Sequence, residues 1–289
     1  MMGATPHVSV IIPARNAAGT IGCQLEALAN QRAAPPFEVI VADNGSGDET
    51  AAIAQSFSGR LDLRVVDASE CRGAGFARNA GAAIARTPYL LFCDADDRVG
   101  SGWIRAMHEA LSSHDIVTGP LILAGPAPIF TEPEIQSRRQ ESPRYRYLEV
   151  VTYAAGSNMG LTARLFSRLS GFDREMRYCQ DADLSLRARL LGSEPGWAPE
   201  AVVFRTARAS LAAAVSQHFF WGVYDALLYK KLQLSGTIER TKWQMTKPYL
   251  VLAARSYWLL TARRHWWIKW AARRAGRIVG SLRAGVVCP

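Results

Sequence analysis

The sequence predicts an α/β protein, with a mixed, mainly parallel sheet flanked by helices and a C-terminal helical extension. Three observations predict it. Short apolar runs alternate with helical patterns through the first hundred residues, the spacing that parallel strands joined by crossover helices require. Three of those runs, ending near Ile12, Asp43 and Asp94, stop at clusters of polar or turn-forming residues. Beyond residue 206 the strand signals cease and long helical stretches rich in Arg and Trp take over.

In chain order, strands are predicted at residues 8–12, 38–43, 63–67 and 89–94, joined by helices at 20–32, 49–57 and 74–86, with Asp48 as the cap of the second helix. A helix near 100–114 and a strand at 115–123 follow. Residues 124–146, which include Pro126, Pro128, Pro133 and Pro143, read as a loop-rich insertion. A helix at 181–191, a strand at 201–204 and helical segments at 209–234 and 247–282 complete the chain. This divides it into a domain over 1–206 and an extension over 207–289.

At 289 residues, 49% hydrophobic and 20% charged, the composition is that of a folded globular protein rather than a disordered one. Cys23, Cys71, Cys93, Cys179 and Cys288 are scattered, without zinc-site or disulfide spacing, which predicts a reducing, cytoplasmic setting. Residues 1–7 lack a secretory signal, and no uncharged apolar stretch reaches the roughly 18 residues of a bilayer span. From Glu239 onward there are eleven Lys/Arg against one acid, so the net charge of +9 resides in the tail. Trp243, Trp258, Trp266, Trp267 and Trp270 interleave with those cations. This mixture fits an anionic membrane surface, such as the inner face of the plasma membrane. On one continuous helix, Trp266, Trp267 and Trp270 share a broad face with Leu252 and Leu259, though Arg263, Arg274 and Arg277 project there too. Packing of the tail on the preceding domain is the other reading; a nucleic-acid surface ranks below both, because no recognition module is present.

The acidic end of the fourth strand carries the strongest chemical signal. In extended backbone Asp94 and Asp96 project to one side while Ala95 points away, and hard carboxylate oxygens favour Mg²⁺ or Mn²⁺. An acidic turn capping the next helix is the alternative. At the ends of the first and second strands, Pro13 offers rigid apolar surface and Asp43 can accept hydrogen bonds from a nucleobase; otherwise Asp43 initiates a turn at Asn44-Gly45-Ser46. The run from Arg72 to Gly81 does not match a dinucleotide fingerprint, because Arg78 stands where glycine is required. It can still present backbone N–H groups, and Arg78 a bidentate contact, to a phosphate, unless Arg78 is an exposed residue of a surface helix. A nucleotidyltransferase loop is absent, since no glycine occurs between Pro13 and Gly19.

Together these blocks resemble the inverting nucleotide-sugar glycosyltransferases of family 2, which have the Rossmann-like GT-A fold. The resemblance spans about residues 8–204. It is carried by Val8-Ser9-Val10-Ile11-Ile12-Pro13, Val39-Ile40-Val41-Ala42-Asp43-Asn44-Gly45-Ser46, Ala77-Arg78-Asn79-Ala80-Gly81, Phe92-Cys93-Asp94-Ala95-Asp96-Asp97, and Gly171-Phe172-Asp173 followed by Gln180-Asp181-Ala182-Asp183. It implies a nucleotide-binding half over about 1–97 and an acceptor half over about 98–206. It further implies that Asp43 contacts the base, Arg78 the nucleotide, and the Asp94/Asp96 (DXD) pair the ribose and the metal. Asp181 would be the base that takes the acceptor hydroxyl proton. Gly156-Ser157-Asn158-Met159-Gly160 matches a segment lining the donor or acceptor side.

Gln180 departs from the family's usual Glu. The resemblance therefore leaves two readings. One is a metal-dependent transferase using a nucleoside-diphosphate sugar, with a UDP-sugar as first guess, and a glycan or lipid-linked acceptor in cell-surface polysaccharide or glycolipid synthesis. The other is a nucleotide-sugar-binding or membrane scaffold protein without turnover.

Overall fold

A computed structural model describes residues 5–124, 146–147, 151–206, 210–236 and 242–288. Apart from its ends, the predicted insertion at 124–146 lies outside the described residues, as does the Trp243 side chain. The chain forms two compact units, one of residues 1–175 and 180–207, the other of residues 176–179 and 208–289.

The first unit opens with β1 (Val8–Ala14), α1 (Ile21–Ala29), β2 (Phe37–Asp43), α2 (Thr50–Gln55), β3 (Leu63–Asp67), α3 (Ala74–Ala83) and β4 (Tyr89–Cys93). It continues through β5 (Asp97–Val99), α4 (Trp103–Leu111), β6 (Ile116–Thr118), β7 (Leu121–Ala124), β8 (Arg146–Tyr147), β9 (Val151–Thr152) and β10 (Asn158–Thr162). The last elements are α5 (Ala163–Arg168), α6 (Gln180–Leu190), β11 (Gly196–Trp197) and β12 (Val203–Thr206). The main sheet has the order β11-β6-β10-β4-β1-β2-β3. β1 pairs in parallel with β2 and β4, and β2 with β3, whereas β10 runs antiparallel between β4 and β6. The sheet is thus mixed and mainly parallel, as the family resemblance implies.

Alternation along the strands builds a core on each face. Val8, Val10 and Ile12 of β1 join Val39 and Val41 of β2 and the buried residues Ile21, Leu25 and Leu28 of α1. Ile11, Ile40 and Phe92 face the other way and pack with Phe166 of α5, Phe172, and Leu184 of α6. The N-cap of α2 is Glu49, not the predicted Asp48, which stands one residue earlier with its Oδ1 accepting the Thr50 N–H at 3.1 Å. Ordering strands this way brings the ends of β1, β2 and β4 to one edge of the sheet, where loops can carry polar groups outside the core.

The predicted strand at 115–123 is two strands. β6 belongs to the main sheet, while β7 pairs with β12 in a separate sheet of order β5-β12-β7. Gly119-Pro120 makes the break: Pro120 has no N–H for a ladder, and a Cβ on Gly119 would lie 2.3 Å from the Ala201 carbonyl oxygen. The short β5 and β10 were not predicted; both exist through pairing with distant strands.

The second unit contains α7 (Leu211–Leu234), α8 (Lys242–Ala254), a 3-10 turn (Ser256–Leu260) and α9 (Arg264–Ala284). The expected single helix over 247–282 is therefore broken. Thr261 is extended after the 3-10 turn, and the Trp267 indole Nε1 donates to the Leu252 carbonyl at 2.9 Å, capping a carbonyl near the end of α8. Trp270 meets Trp258 at 5.6 Å, so the tail tryptophans do not line one continuous helical face. α7 and α9 approach closely at glycines: a Cβ on Gly222 would lie 2.0 Å from the Arg273 carbonyl oxygen, and one on Gly276 2.0 Å from that of Phe219. Beside this contact the buried Asp225 accepts from Arg273 Nε and Arg277 Nε at 2.8 Å each. Burial works against ionisation of Asp225, but the two guanidinium groups prevail and hold its carboxyl below the ordinary range.

Candidate active site

The second strand delivers Asp43 to the polar edge, in register with Ala14 at the end of β1. Its Oδ1 accepts the Ser46 N–H and hydroxyl, an Asx turn that fixes the carboxylate and leaves Oδ2 without a protein hydrogen bond among the described residues. Pro13 is half-buried and sits opposite Ala42. Asn44, buried beside Asp43, joins three segments: its amide nitrogen donates to the carbonyls of Ala68 and Cys71, and its Oδ1 accepts the Gly73 N–H at 2.8 Å. That bond positions the entrance to α3, where Gly73 has φ +142°, a backbone conformation suited to glycine.

Arg78 is not an exposed helix residue. Its side chain is 4% exposed, pairs with Asp94 Oδ1 at 2.6 Å and lies over the Phe172 ring at 5.5 Å. Neighbouring Asn79 makes a reciprocal pair with Phe172, donating to its carbonyl and accepting its N–H, both at 2.8 Å. Thus the blocks around Arg78 and Phe172, about 93 residues apart, form one packed unit.

β4 ends at Cys93, and three carboxylates follow, two in the next turn and one at the start of β5. Oxygens of Asp94, Asp96 and Asp97 lie within 4.8 Å of one another, with Asp96 exposed and Asp97 buried. Gln24 ties this turn to α1 by donating to the Asp94 carbonyl and accepting the Val99 N–H. Burial, reinforced by the charges of Asp94 and Asp97, pushes the Cys93 thiol far up and keeps it protonated. Three hard oxygens at that spacing suit a divalent cation with oxygen ligands at about 2.0–2.2 Å.

Asp181 stands in the first turn of α6. Its Oδ2 accepts the Gly156 N–H at 3.1 Å and its Oδ1 accepts the Ala182 N–H at 2.9 Å. Gly156 also abuts Arg78: a Cβ there would lie 3.3 Å from the guanidinium. The segment at 156–160 therefore bridges Asp181 and the Arg78–Asp94 pair. Asp183 plays a different part, being buried and paired with Arg187 at 2.8 Å, while Arg187 also donates to the Leu169 and Gly171 carbonyls. The Gln180 side chain packs against Gly75, whose Cβ position is 3.1 Å from Gln180 Oε1.

Asn158 has a role that sequence reasoning misses. It is fully buried, accepts from Trp103 Nε1 at 2.7 Å and donates to the Pro120 and Ala201 carbonyls. It thereby fastens β10 to α4 and to the break between β6 and β7. Its signal, and that of Asn44, lay within the matched blocks, but an amide's partners are set by distant backbone.

A family model described as glycosyl transferase family 2 matches residues 9–169, more than half of the chain. The chain belongs to that family. Among the relatives of this family 2 chain, validoxylamine A glucosyltransferase of Streptomyces hygroscopicus subsp. limoneus is 28% identical over 256 residues, covering 74% of this chain and 56% of that protein. Glycosyltransferase AglE of Haloferax volcanii is 31% identical over 170 residues, 58% of this chain and 54% of that protein. The chain thus spans little more than half the length of these relatives. Among solved structures, the mannosyltransferase PcManGT of Pyrobaculum calidifontis, in complex with GDP-Man and Mn²⁺, superposes with a TM-score of 0.68 at 17% identity, covering 96% of this chain and 87% of that one. TarS of S. aureus in complex with UDP gives 0.56 at 18% identity, covering 96% and 92%. These likenesses show the GT-A fold.

Proposed function

We propose that this family 2 chain is a metal-dependent, inverting glycosyltransferase that moves a sugar from a nucleoside-diphosphate sugar to a hydroxyl of a glycan or lipid-linked acceptor. The observation that carries this reading is the junction at Gly156, where the Asp181 carboxylate and the Arg78–Asp94 ion pair are held against one short segment. In this reading one piece of backbone would hold both the base and the diphosphate-binding edge.

In this reading Asp43 accepts the base N–H through its uncommitted Oδ2, with Pro13 supplying apolar surface beside the ring. Arg78 orients Asp94 for the ribose. Asp94 and Asp96, joined by Asp97, would hold Mg²⁺ or Mn²⁺; when bound, the ion stabilises negative charge on the departing diphosphate. Two backbone N–H groups fix the Asp181 carboxylate, which accepts the acceptor hydroxyl proton as that oxygen attacks the anomeric carbon. Attack opposite the leaving group inverts the configuration.

Gln180 supports a second reading, a nucleotide-sugar-binding scaffold without turnover. Thermal shifts with UDP, GDP and dTDP, each with and without Mn²⁺, test the donor site: one nucleotide should stabilise the protein in a metal-dependent way, and Asp96→Asn should abolish the shift. Asp181→Asn should lose turnover and keep donor binding. Absence of turnover by the wild type across a broad acceptor panel would favour the scaffold instead.

The second unit supports a membrane-surface location for this activity. Among the described residues no helix is long and apolar enough to cross a membrane. Yet Tyr257, Leu259 and Leu260 are exposed in the turn joining α8 to α9, with Arg263, Arg264 and Trp266 following them into solvent. Apolar and basic groups in one turn suit an anionic interface. Removal of residues from 247 onward should end salt-sensitive co-sedimentation with anionic vesicles.

A further inference from the structure

Within the second unit, a cavity of about 440 Å³ is lined by His218, Lys247, Arg255, Trp270, Arg273, Arg274 and Arg277. Five of these are cationic. Asp225 is the only carboxylate side chain among the described residues of this unit, and it is committed to Arg273 and Arg277. Lys247, Arg255 and Arg274 are left facing the cavity without a carboxylate.

Two further features point to an anion. Arg274 Nε and His218 Nδ1 are buried and have no hydrogen-bond partner among the described residues, a costly state for polar groups. Burial, then the charges of Arg277 and Arg273, press the Arg274 pKa down to about 10, and an anion here would relieve both effects. Arg255 is already arranged for such a contact: its guanidinium lies over Trp258 at 4.9 Å and over Trp270 at 5.5 Å. Stacking fixes the plane of the fork while leaving its N–H edge for a ligand.

We propose that this cavity is a phosphate-binding site, in which Arg274, Arg255 and Lys247 take the phosphate of a phosphoester or diphosphate. Phosphate is favoured over a single carboxylate because three uncompensated cations converge, and the planar guanidinium forks match phosphate oxygens bidentately. The proposed site is built from residues of the second unit alone, whereas Asp94 and Asp96 belong to the first, and it does not depend on the transferase reading.

Calorimetry of the full chain with inorganic pyrophosphate, in chelator-containing buffer, tests it. The wild type should bind saturably, and Arg274→Gln and Arg255→Gln should each weaken binding by about tenfold, as loss of a charge-assisted hydrogen bond implies. Asp96→Asn should bind like the wild type. Absence of wild-type binding, unchanged affinity in both arginine variants, or loss of binding in Asp96→Asn would overturn the proposal. Retention of the nucleotide-dependent thermal shift in Arg274→Gln separates this outcome from failure of the donor site. Vesicles distinguish the source of the phosphate: displacement of the protein from phosphatidylglycerol vesicles by pyrophosphate, with no binding to phosphatidylcholine, assigns a lipid headgroup. Pyrophosphate binding unaffected by phosphatidylglycerol vesicles assigns a soluble phosphoester.

Discussion

Two buried carboxylates, Glu38 in the first unit and Asp225 in the second, handle positive charge in opposite ways. Glu38 is fully buried and takes arginines that reach toward solvent, Arg64 and Arg86, whose side chains are 33% and 57% exposed. In the second unit, Asp225 and Arg277 are both buried, and the surplus arginines Arg255 and Arg263 lie on the face of Trp258. Charge around Glu38 is settled internally with water's help. In the second unit, too few carboxylates exist, so cationic capacity remains for something outside the chain.

The contrast makes Asp225→Asn the most damaging substitution, because it leaves two arginines in the helix contact without their counter-charge; a loss of about 3–5 kcal/mol is expected, read from chemical denaturation. Glu38→Gln should cost less, about 1–2 kcal/mol, since an amide still accepts the Ser9 hydroxyl and the Arg86 N–H and water can receive the arginines. Equal losses would break the comparison.

Gly276→Ala should follow at about 1–3 kcal/mol, as its methyl group must displace a helix carbonyl. A pH scan gives a finer test. Burial, then Arg273 and Lys269, opposed by Asp225, hold the His218 pKa at about 4 against an ordinary 6.5. The unfolded chain therefore binds this proton first as pH falls, and stability should decline between about pH 6.5 and 4. In His218→Gln the decline should be shallower; an unchanged slope assigns it elsewhere. At still lower pH, protonation of Asp225 adds to the loss, because its folded pKa is depressed. The smallest effect is expected at the surface pair of Arg60 and Glu26, where both side chains are about half exposed. Arg60→Ala should leave the melting temperature unchanged, since water and salt screen such pairs.

These differences explain what the sequence disclosed. The strands β1 to β4 were legible because continuous apolar runs bury both faces of a parallel sheet, and the edge residues Pro13, Asp43, Asp94 and Asp96 followed from where those runs stop. Arg78 was legible as a phosphate candidate but not as the buried partner of Asp94, because that pairing depends on Phe172 and Gly156 arriving from elsewhere. β10 was hidden for the same reason: Asn158-Met159-Gly160-Leu161-Thr162 becomes a strand only between β4 and β6. The tail's composition was plain, yet its fold was not, since the reversal between α8 and α9 is stabilised by the single indole bond from Trp267 and by Trp258 against Trp270.

The glycines that bring α7 onto α9 carry a consequence for where the second unit can live. Burial of oily side chains loses its advantage when the surroundings are themselves oily, whereas interlocking backbone surfaces keep their dispersion contacts in either medium. Gly222, Gly276 and Gly280 give this helix pair such a seam, so its geometry persists whether one side meets water or acyl chains.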